Sequence, residues 1–304
     1  FGIDGSYMAR NVDKATSIER NGLLCDIARD NFDRLGLHHI TVINGNSEEQ
    51  LTTLPQQDWI FIDPARRDGA GRKVVALSDC EPNVVELEDV LLQKATKVMV
   101  KCSPMLDIAA AMRQLKSVSA VHVVAINNEC KELLLLLQKS AVSSEMMIHC
   151  EHIVNFCEHQ HYAFTLSQEH VSECPLAEAV GAYLYEPNAS ILKAGAYRSL
   201  TQAYPVKKLH VSSHLYTSTD FIADFPGRRF KVEAVSGFGK KELKEFMQGM
   251  EKANLTIRNF PSSVAELRKR LKLKEGGEDY LFATTLADES KVLIKCRKVS
   301  SPLQ

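Results

Sequence analysis

The sequence has 304 residues, of which 45% are hydrophobic and 25% charged, with a formal net charge of −1. That length exceeds one ordinary core, so two or more domains are expected, and no apolar run reaches the roughly 18 residues needed to cross a bilayer as a helix. Eight cysteines without CxxC pairs point to reduced thiols in a cytoplasm rather than a disulfide framework, and no segment reads as a signal peptide.

In chain order, Phe1-Gly2-Ile3-Asp4-Gly5-Ser6 is turn-like, with a helix opening near Ser6. Residues 14–19 read as a short strand ending in an acid, and 21–35 as a helix with Leu23, Leu24, Ile27, Ala28 and Phe32 on one face. A strand over 39–43, a short helix over 48–54 and a strand over 58–63 follow. Strand alternating with helix predicts a parallel sheet with crossover helices. The alternation continues with a helix over 86–92, a valine-rich strand over 97–101 and an alanine-rich helix over 105–115. After these come a strand over 120–126, a leucine-rich helix over 130–138 and a strand over 145–154.

Beyond Ser167 the signals change. Tyr183-Leu184-Tyr185-Glu186-Pro187-Asn188 leads into a helix through Leu200, and 210–216 reads as a strand. From Phe230 the order is strand, helix, strand, helix, strand, strand, a small α/β module. The charge divides with it: 17 Lys and Arg against 10 Asp and Glu from Pro226 onward, but 20 against 28 before. A basic module beside an acidic one suits a polyanionic partner.

The stretch Trp59-Ile60-Phe61-Ile62-Asp63-Pro64 carries the sharpest signal. Four apolar residues predict a strand buried on both faces, and Pro64 cannot continue a ladder, so Asp63 stands at the carboxyl edge where open α/β sheets bind ligands. The Asp63 carboxylate and the Pro64 carbonyl can accept from an exocyclic amine and orient it toward an electrophilic carbon; the alternative is a strand-ending turn. Arg66 and Arg67 are either phosphate ligands or loop charges. Glu19 suits the acid that takes both ribose hydroxyls of a nucleoside, or else a helix cap. Asn44 or Asn46, with Ser47, can meet an adenine edge or form an Asn-Gly turn.

Gly2-Ile3-Asp4, Ile18-Glu19-Arg20-Asn21, Asn44-Gly45-Asn46 and Ile62-Asp63-Pro64-Ala65-Arg66-Arg67 together resemble the motifs of class I S-adenosylmethionine-dependent methyltransferases. Three further stretches narrow the resemblance to bacterial members with a C-terminal THUMP-like domain. They are Tyr183 to Asn188, Asp224-Phe225-Pro226-Gly227-Arg228, and Arg258-Asn259-Phe260-Pro261 with Leu267-Arg268-Lys269-Arg270-Leu271. The resemblance implies an α/β, doubly wound Rossmann-like methyltransferase sheet followed by a small α+β (βαβαββ) THUMP-like domain. The implied divisions are a methyltransferase domain at 1–165, whose opening strand and glycines are expected ahead of Phe1, a connector or ferredoxin-like subdomain at 166–225, and the THUMP-like domain at 226–304.

It also implies S-adenosylmethionine as cofactor, with Phe1 and Gly2 ending its glycine loop, Glu19 as ribose acid, Asn46 and Ser47 beside adenine, Asp63 facing the transferred methyl, and Asp4 and Arg20 in the same binding set. Ala65 and Arg66 stand where amine-methylating members carry a second proline and an aromatic, so base stacking is missing or supplied elsewhere. Asp63 and Pro64 would orient the acceptor, and Arg66, Arg67, Arg268, Lys269 and Arg270 would bind phosphates of an RNA substrate, with Phe230, Phe260 and Tyr280 as stacking candidates.

Cys102-Ser103-Pro104 offers a rival, a cysteine nucleophile of the pyrimidine C5-methyltransferase kind beside Lys101; a buried, inert thiol is the plainer reading. A non-catalytic RNA-binding protein on the same fold is a further alternative, as is methylation of a protein or small molecule. His149, Cys150, His152, Cys157, His159 and His161 crowd one segment, but no paired metal-ligand spacing organises them, so no metal is assigned.

Overall fold

The computed structural model describes residues 2–65, 76–139 and 145–299. The chain divides into two compact units, one made of residues 1–119 with 134–144 and the other of 120–133 with 145–304.

The first unit opens with α1 (Ile3–Met8), β1 (Ala15–Glu19), α2 (Gly22–Arg34), β2 (Ile40–Asn44) and α3 (Ser47–Thr53), followed by β3 (Gln57–Ile62), α4 (Val84–Lys94), β4 (Ala95–Cys102) and α5 (Ile108–Gln114). Asparagines begin three of its helices: Asn21, Asn46 and Asn83 each accept two backbone N–H groups that α2, α3 and α4 would otherwise leave without partners. β1 pairs in parallel with β2, from Ala15 opposite Ile40 to Glu19 opposite Asn44, and β3 pairs in parallel with β4. Ala28, Phe32 and Leu37 pack against Ile40 and Val42, closing α2 over β2.

β5 (Val118–Ile126) and β6 (Glu129–Gln138) straddle the division, and β7 (Met147–Val154) and β8 (Glu158–Thr165) follow. The larger sheet of this region runs β3-β4-β6-β5-β7-β8. β6 corrects the predicted helix over 130–138. Leu133, Leu135 and Leu137 are fully buried and alternate with half-buried neighbours, a period of two. The two residues linking β5 to β6, Asn127 and Asn128, both have positive φ (49° and 64°), as a tight hairpin turn requires. β8 has no counterpart among the predicted elements.

Trp59 corrects a second expectation. It is 47% exposed, with Lys97 Nζ 5.0 Å from its ring centroid, so β3 is not buried on both faces. β3 is the outermost strand in its sheet order, and one flank of its ladder faces away from β4.

The second unit continues with α6 (Leu166–Val171), β9 (Tyr183–Pro187), α7 (Ala189–Ala194), α8 (Ser199–Ala203), β10 (Lys207–His210) and β11 (Ser213–Ser218). It ends with β12 (Gly227–Ser236), α9 (Lys240–Phe246), β13 (Asn254–Ile257), α10 (Val264–Leu271), β14 (Asp279–Thr285) and β15 (Lys291–Lys298). The predicted helix from Asn188 to Leu200 is two helices, because Gly195 turns left-handed at φ 82° and ends the first. The predicted strand over 210–216 is the β10–β11 hairpin.

All seven strands from β9 onward form one sheet, in the order β10-β11-β9-β12-β15-β14-β13. Its β14 and β15 are buried on both faces. Phe282, Ile294 and Cys296 pack with Leu184, Leu215 and Phe230 on one side, while Leu281, Ala283 and Leu293 meet Leu267 and Leu271 of α10 and Leu243 of α9 on the other. Between β9 and β12, Glu186 is almost fully buried; Arg228 Nε donates to it at 2.7 Å, and Arg258 Nη2 lies 2.7 Å from its other oxygen. Two guanidinium groups around one carboxylate satisfy a charge that burial alone would make costly.

Candidate active site

The carboxyl ends of β1 to β4 carry Glu19, Arg20, Asn46, Ser47, Asp63 and Pro64 of the predicted residues. The ends of β1 and β2 are locked together: Gly45 N–H donates to the Glu19 carbonyl at 3.1 Å, and Asn44 Nδ2 donates to the carbonyls of Glu19 at 3.0 Å and Arg20 at 3.1 Å. Asn44 is thus a backbone clamp. Glu19 Oε1 accepts from Asn21 N–H at 2.8 Å, which fixes the carboxylate at the strand end. Asn46 Oδ1 caps α3 through Glu48 and Glu49 N–H, and Ser47 is the first residue of that helix.

Asp63 meets a partner that sequence reasoning assigned elsewhere. Lys101 Nζ, one residue before the end of β4, lies 2.8 Å from Asp63 Oδ2 and 2.5 Å from Asp4 Oδ2 in the first turn of α1. Partial burial works against the Lys101 charge, but hydrogen bonds from the ammonium to Asp4 and Asp63 and their negative charge outweigh it, so the lysine is held above its usual value. Three segments that sequence separates by up to 97 residues are joined at one ammonium. The sequence signal was available in the position of Lys101 at a strand end; it follows Val100, which pairs with Ile62, the residue before Asp63 on the adjacent strand.

Gly2 holds α1 in place. Its φ is 70°, and a Cβ there would stand 2.5 Å from Phe32 Cζ, so only glycine brings α1 this close to α2. Arg20 pairs with Glu81 at 2.8 Å, and Glu81 exchanges two backbone hydrogen bonds with Ala65, tying the end of β1 to the turn after Pro64. Pro64 itself is buried and Asp63 exposed. Phe1, Arg66 and Arg67 lie outside the described residues.

Cys102, next to Lys101, supplies no nucleophile to this cluster. Its thiol is buried, and desolvation, followed by the nearby Cys80 and Asp63, pushes it up to about 12. At neutral pH it is therefore a thiol and a poor nucleophile. Lys101, its neighbour in sequence, serves the two aspartates on the opposite face.

Among solved structures, a proposed methyltransferase from Porphyromonas gingivalis W83 superposes at a TM-score of 0.89 with 34% identity, over 98% of this chain and 75% of that one. The chain belongs to the family of that protein. Family models add a ferredoxin-like domain at residues 183–226 and a THUMP-like domain at 227–298. The precorrin 8W decarboxylase of Methanobacterium thermoautotrophicum overlaps 44% of this chain and 74% of its own, at 15% identity and a TM-score of 0.29, too remote to carry an argument. No curated protein matches the sequence.

In this family member the THUMP-like segment presents a basic helix end. Ser263 and Glu266 close a capping box at the start of α10, while Lys269, Arg270, Lys272 and Lys274 are exposed at its far end. Arg268 is only 20% exposed, beside Glu275 at 3.9 Å, and Arg270 stacks on Phe238. One aromatic expectation is corrected. Phe230 is fully buried and cannot stack on a base, whereas Tyr280, 5.1 Å from it, and Phe260, 5.0 Å from Phe238, are half-buried at the margins of the two cores. No helix among the described residues is long and apolar enough to cross a membrane.

Proposed function

We propose that the chain is a cytoplasmic S-adenosylmethionine-dependent methyltransferase that modifies a base of RNA, with domains divided near residues 165 and 225. The observation that carries this reading is the Asp4–Lys101–Asp63 cluster at the carboxyl ends of β3 and β4, where α/β sheets place ligands. The residues present fit the cofactor: Glu19 is held at its strand end with one oxygen used by Asn21, leaving the other toward ribose, and Gly2 lets α1 close on α2. S-adenosylmethionine brings an electrophilic methyl group to such a site. Asp4, Arg20, Asn46 and Ser47 complete its surroundings. The Asp63 carboxylate and the Pro64 carbonyl accept from the substrate amine, and Lys101 positions Asp63. Exposed Lys269 and Arg270 take substrate phosphates, and Arg66 and Arg67 are proposed to do the same beside the acceptor.

Titrating S-adenosylmethionine calorimetrically into the chain and into Glu19→Ala tests this directly. Saturable binding lost in the variant is expected; binding indifferent to Glu19 would remove the proposed ribose contact. A second reading, RNA binding without catalysis, is favoured by the commitment of both aspartates to Lys101. It is distinguished by salt-sensitive RNA binding with no response to the cofactor.

A further inference from the structure

Outside the proposed methyl-transfer site, one face of β5, β7 and β8 carries an unusual set of side chains. His122 stands on β5, directly opposite His149 of β7 in the parallel register. Glu151 follows His149 by two residues and so shares its face. His161 of β8 is directly opposite Glu151 in the antiparallel register, and His159 lies two residues before it. His152, between these positions in sequence, faces the other way: it is buried, accepts from Asn128 N–H at 2.8 Å, and meets Gln160 at 3.1 Å.

The donor atoms on the shared face converge. One atom from each of His122, His149 and Glu151 lies within 4.8 Å of the others. His149 Nδ1 is 3.2 Å from His161 Nε2, His122 Nδ1 is 3.4 Å from Glu151 Oε1, and His161 Nε2 is 3.7 Å from the same oxygen. Ligands about 2.0–2.1 Å from a tetrahedral ion are roughly 3.3 Å from one another, so these three spacings match edges of such a polyhedron; His161 stands at the margin of the tighter His122, His149 and Glu151 set and would swing inward to complete it. The His122 and His149 rings are stacked, with centroids 4.5 Å apart and planes 9° apart, which orients both imidazoles together. His159 Nε2 contacts Glu151 Oε2 at 2.7 Å, an outer contact of the kind that holds a ligating carboxylate in place. Glu151 is 18% exposed and His161 47% exposed, leaving solvent access from one side.

We propose that His122, His149, Glu151 and His161 bind one divalent cation of the zinc class, bridging three adjacent strands. Three imidazoles and one carboxylate select a borderline transition ion over calcium or magnesium, which prefer all-oxygen shells. The sequence conceals the set because its members come from three strands in a spacing that follows sheet register rather than a local motif.

The test uses the full chain freed of metal with a chelator and titrated with Zn2+ by calorimetry, with Ca2+ in parallel. One Zn2+ per chain is expected, with no Ca2+ binding, and a rise in Tm on adding Zn2+. His149→Ala and Glu151→Gln should each weaken binding at least tenfold and abolish that rise, whereas Cys157→Ser should change neither, since that exposed thiol lies outside the proposed set. Zn2+ should also protect His122, His149 and His161 of the unaltered chain from diethyl pyrocarbonate, read by peptide mass spectrometry, a result independent of how the variants fold. No Zn2+ binding, binding that Cys157→Ser removes, equal binding of Ca2+, or unprotected histidines would overturn the proposal.

Discussion

Lys101 concentrates the chemistry of the first unit in one side chain. It holds Asp63 and Asp4 together, so Lys101→Met should lower kcat of the proposed methyl transfer by at least tenfold through misplacement of Asp63, with a smaller effect of Lys101→Arg; steady-state kinetics would measure both. The sign of its stability effect follows from a folded-state pKa raised above 10.5: the contribution is complete below pH 10.5 and is lost as pH climbs through the folded value. Cys102→Ser should leave turnover within about twofold, because a thiol pushed up to about 12 supplies almost no thiolate at neutral pH; a hundredfold loss in a folded variant would revive the nucleophile. His214 sets an acid limit on the second unit. It is stacked on Tyr197 with centroids 3.8 Å apart, and burial first, then Lys208 and Arg258, depress it to about 4. The unfolded chain binds this proton more readily between pH 6.5 and 4, so stability should fall over that window, by on the order of 2 kcal/mol after allowance for partial solvent access. Urea unfolding at pH 7 and pH 4.5 should show the difference, and His214→Gln should reduce it.

At the scale of elements, strand β6 and the β9–β12 pair show what holds the sheets. Leu135 on β6 is fully buried, and Leu135→Ala should cost about 2–5 kcal/mol in chemical denaturation. A residue on a surface helix would lose far less, so the same experiment checks the strand assignment. Gly227 begins β12 where it pairs with β9. A Cβ there would run into the Glu186 carbonyl oxygen and the Pro187 backbone, neither of which yields easily. Gly227→Ala should therefore destabilise the second unit by about 1–3 kcal/mol, readable as a lowered denaturation midpoint.

On the whole-molecule scale, the charge division seen along the chain becomes a basic helix end on a sheet whose Phe230 is committed to packing. Affinity for RNA should then come from phosphate contacts. Lys269→Glu with Lys272→Glu should weaken RNA binding and lower its salt dependence by about one unit of log–log slope per lost contact, measured by fluorescence anisotropy across salt concentrations. An unchanged slope would place RNA elsewhere or nowhere on this module.

The sequence alone determined the α/β alternation, the strand ending at Asp63-Pro64 and the order of elements after Phe230. These are local properties, set by periodicity, capping and turn residues within a few positions of each other. Tertiary structure decided the rest. The leucines of residues 133–137 suit either a helix or a strand, and β6 became a strand because the Asn127-Asn128 turn folds it back along β5. The sharing of one sheet by β9 to β15 and the burial of Phe230 depend on packing from both faces. The meeting of Asp4 on α1 with Lys101 on β4, and of His122 with His149 across the β5–β7 register, joins segments distant in sequence, which no local pattern records.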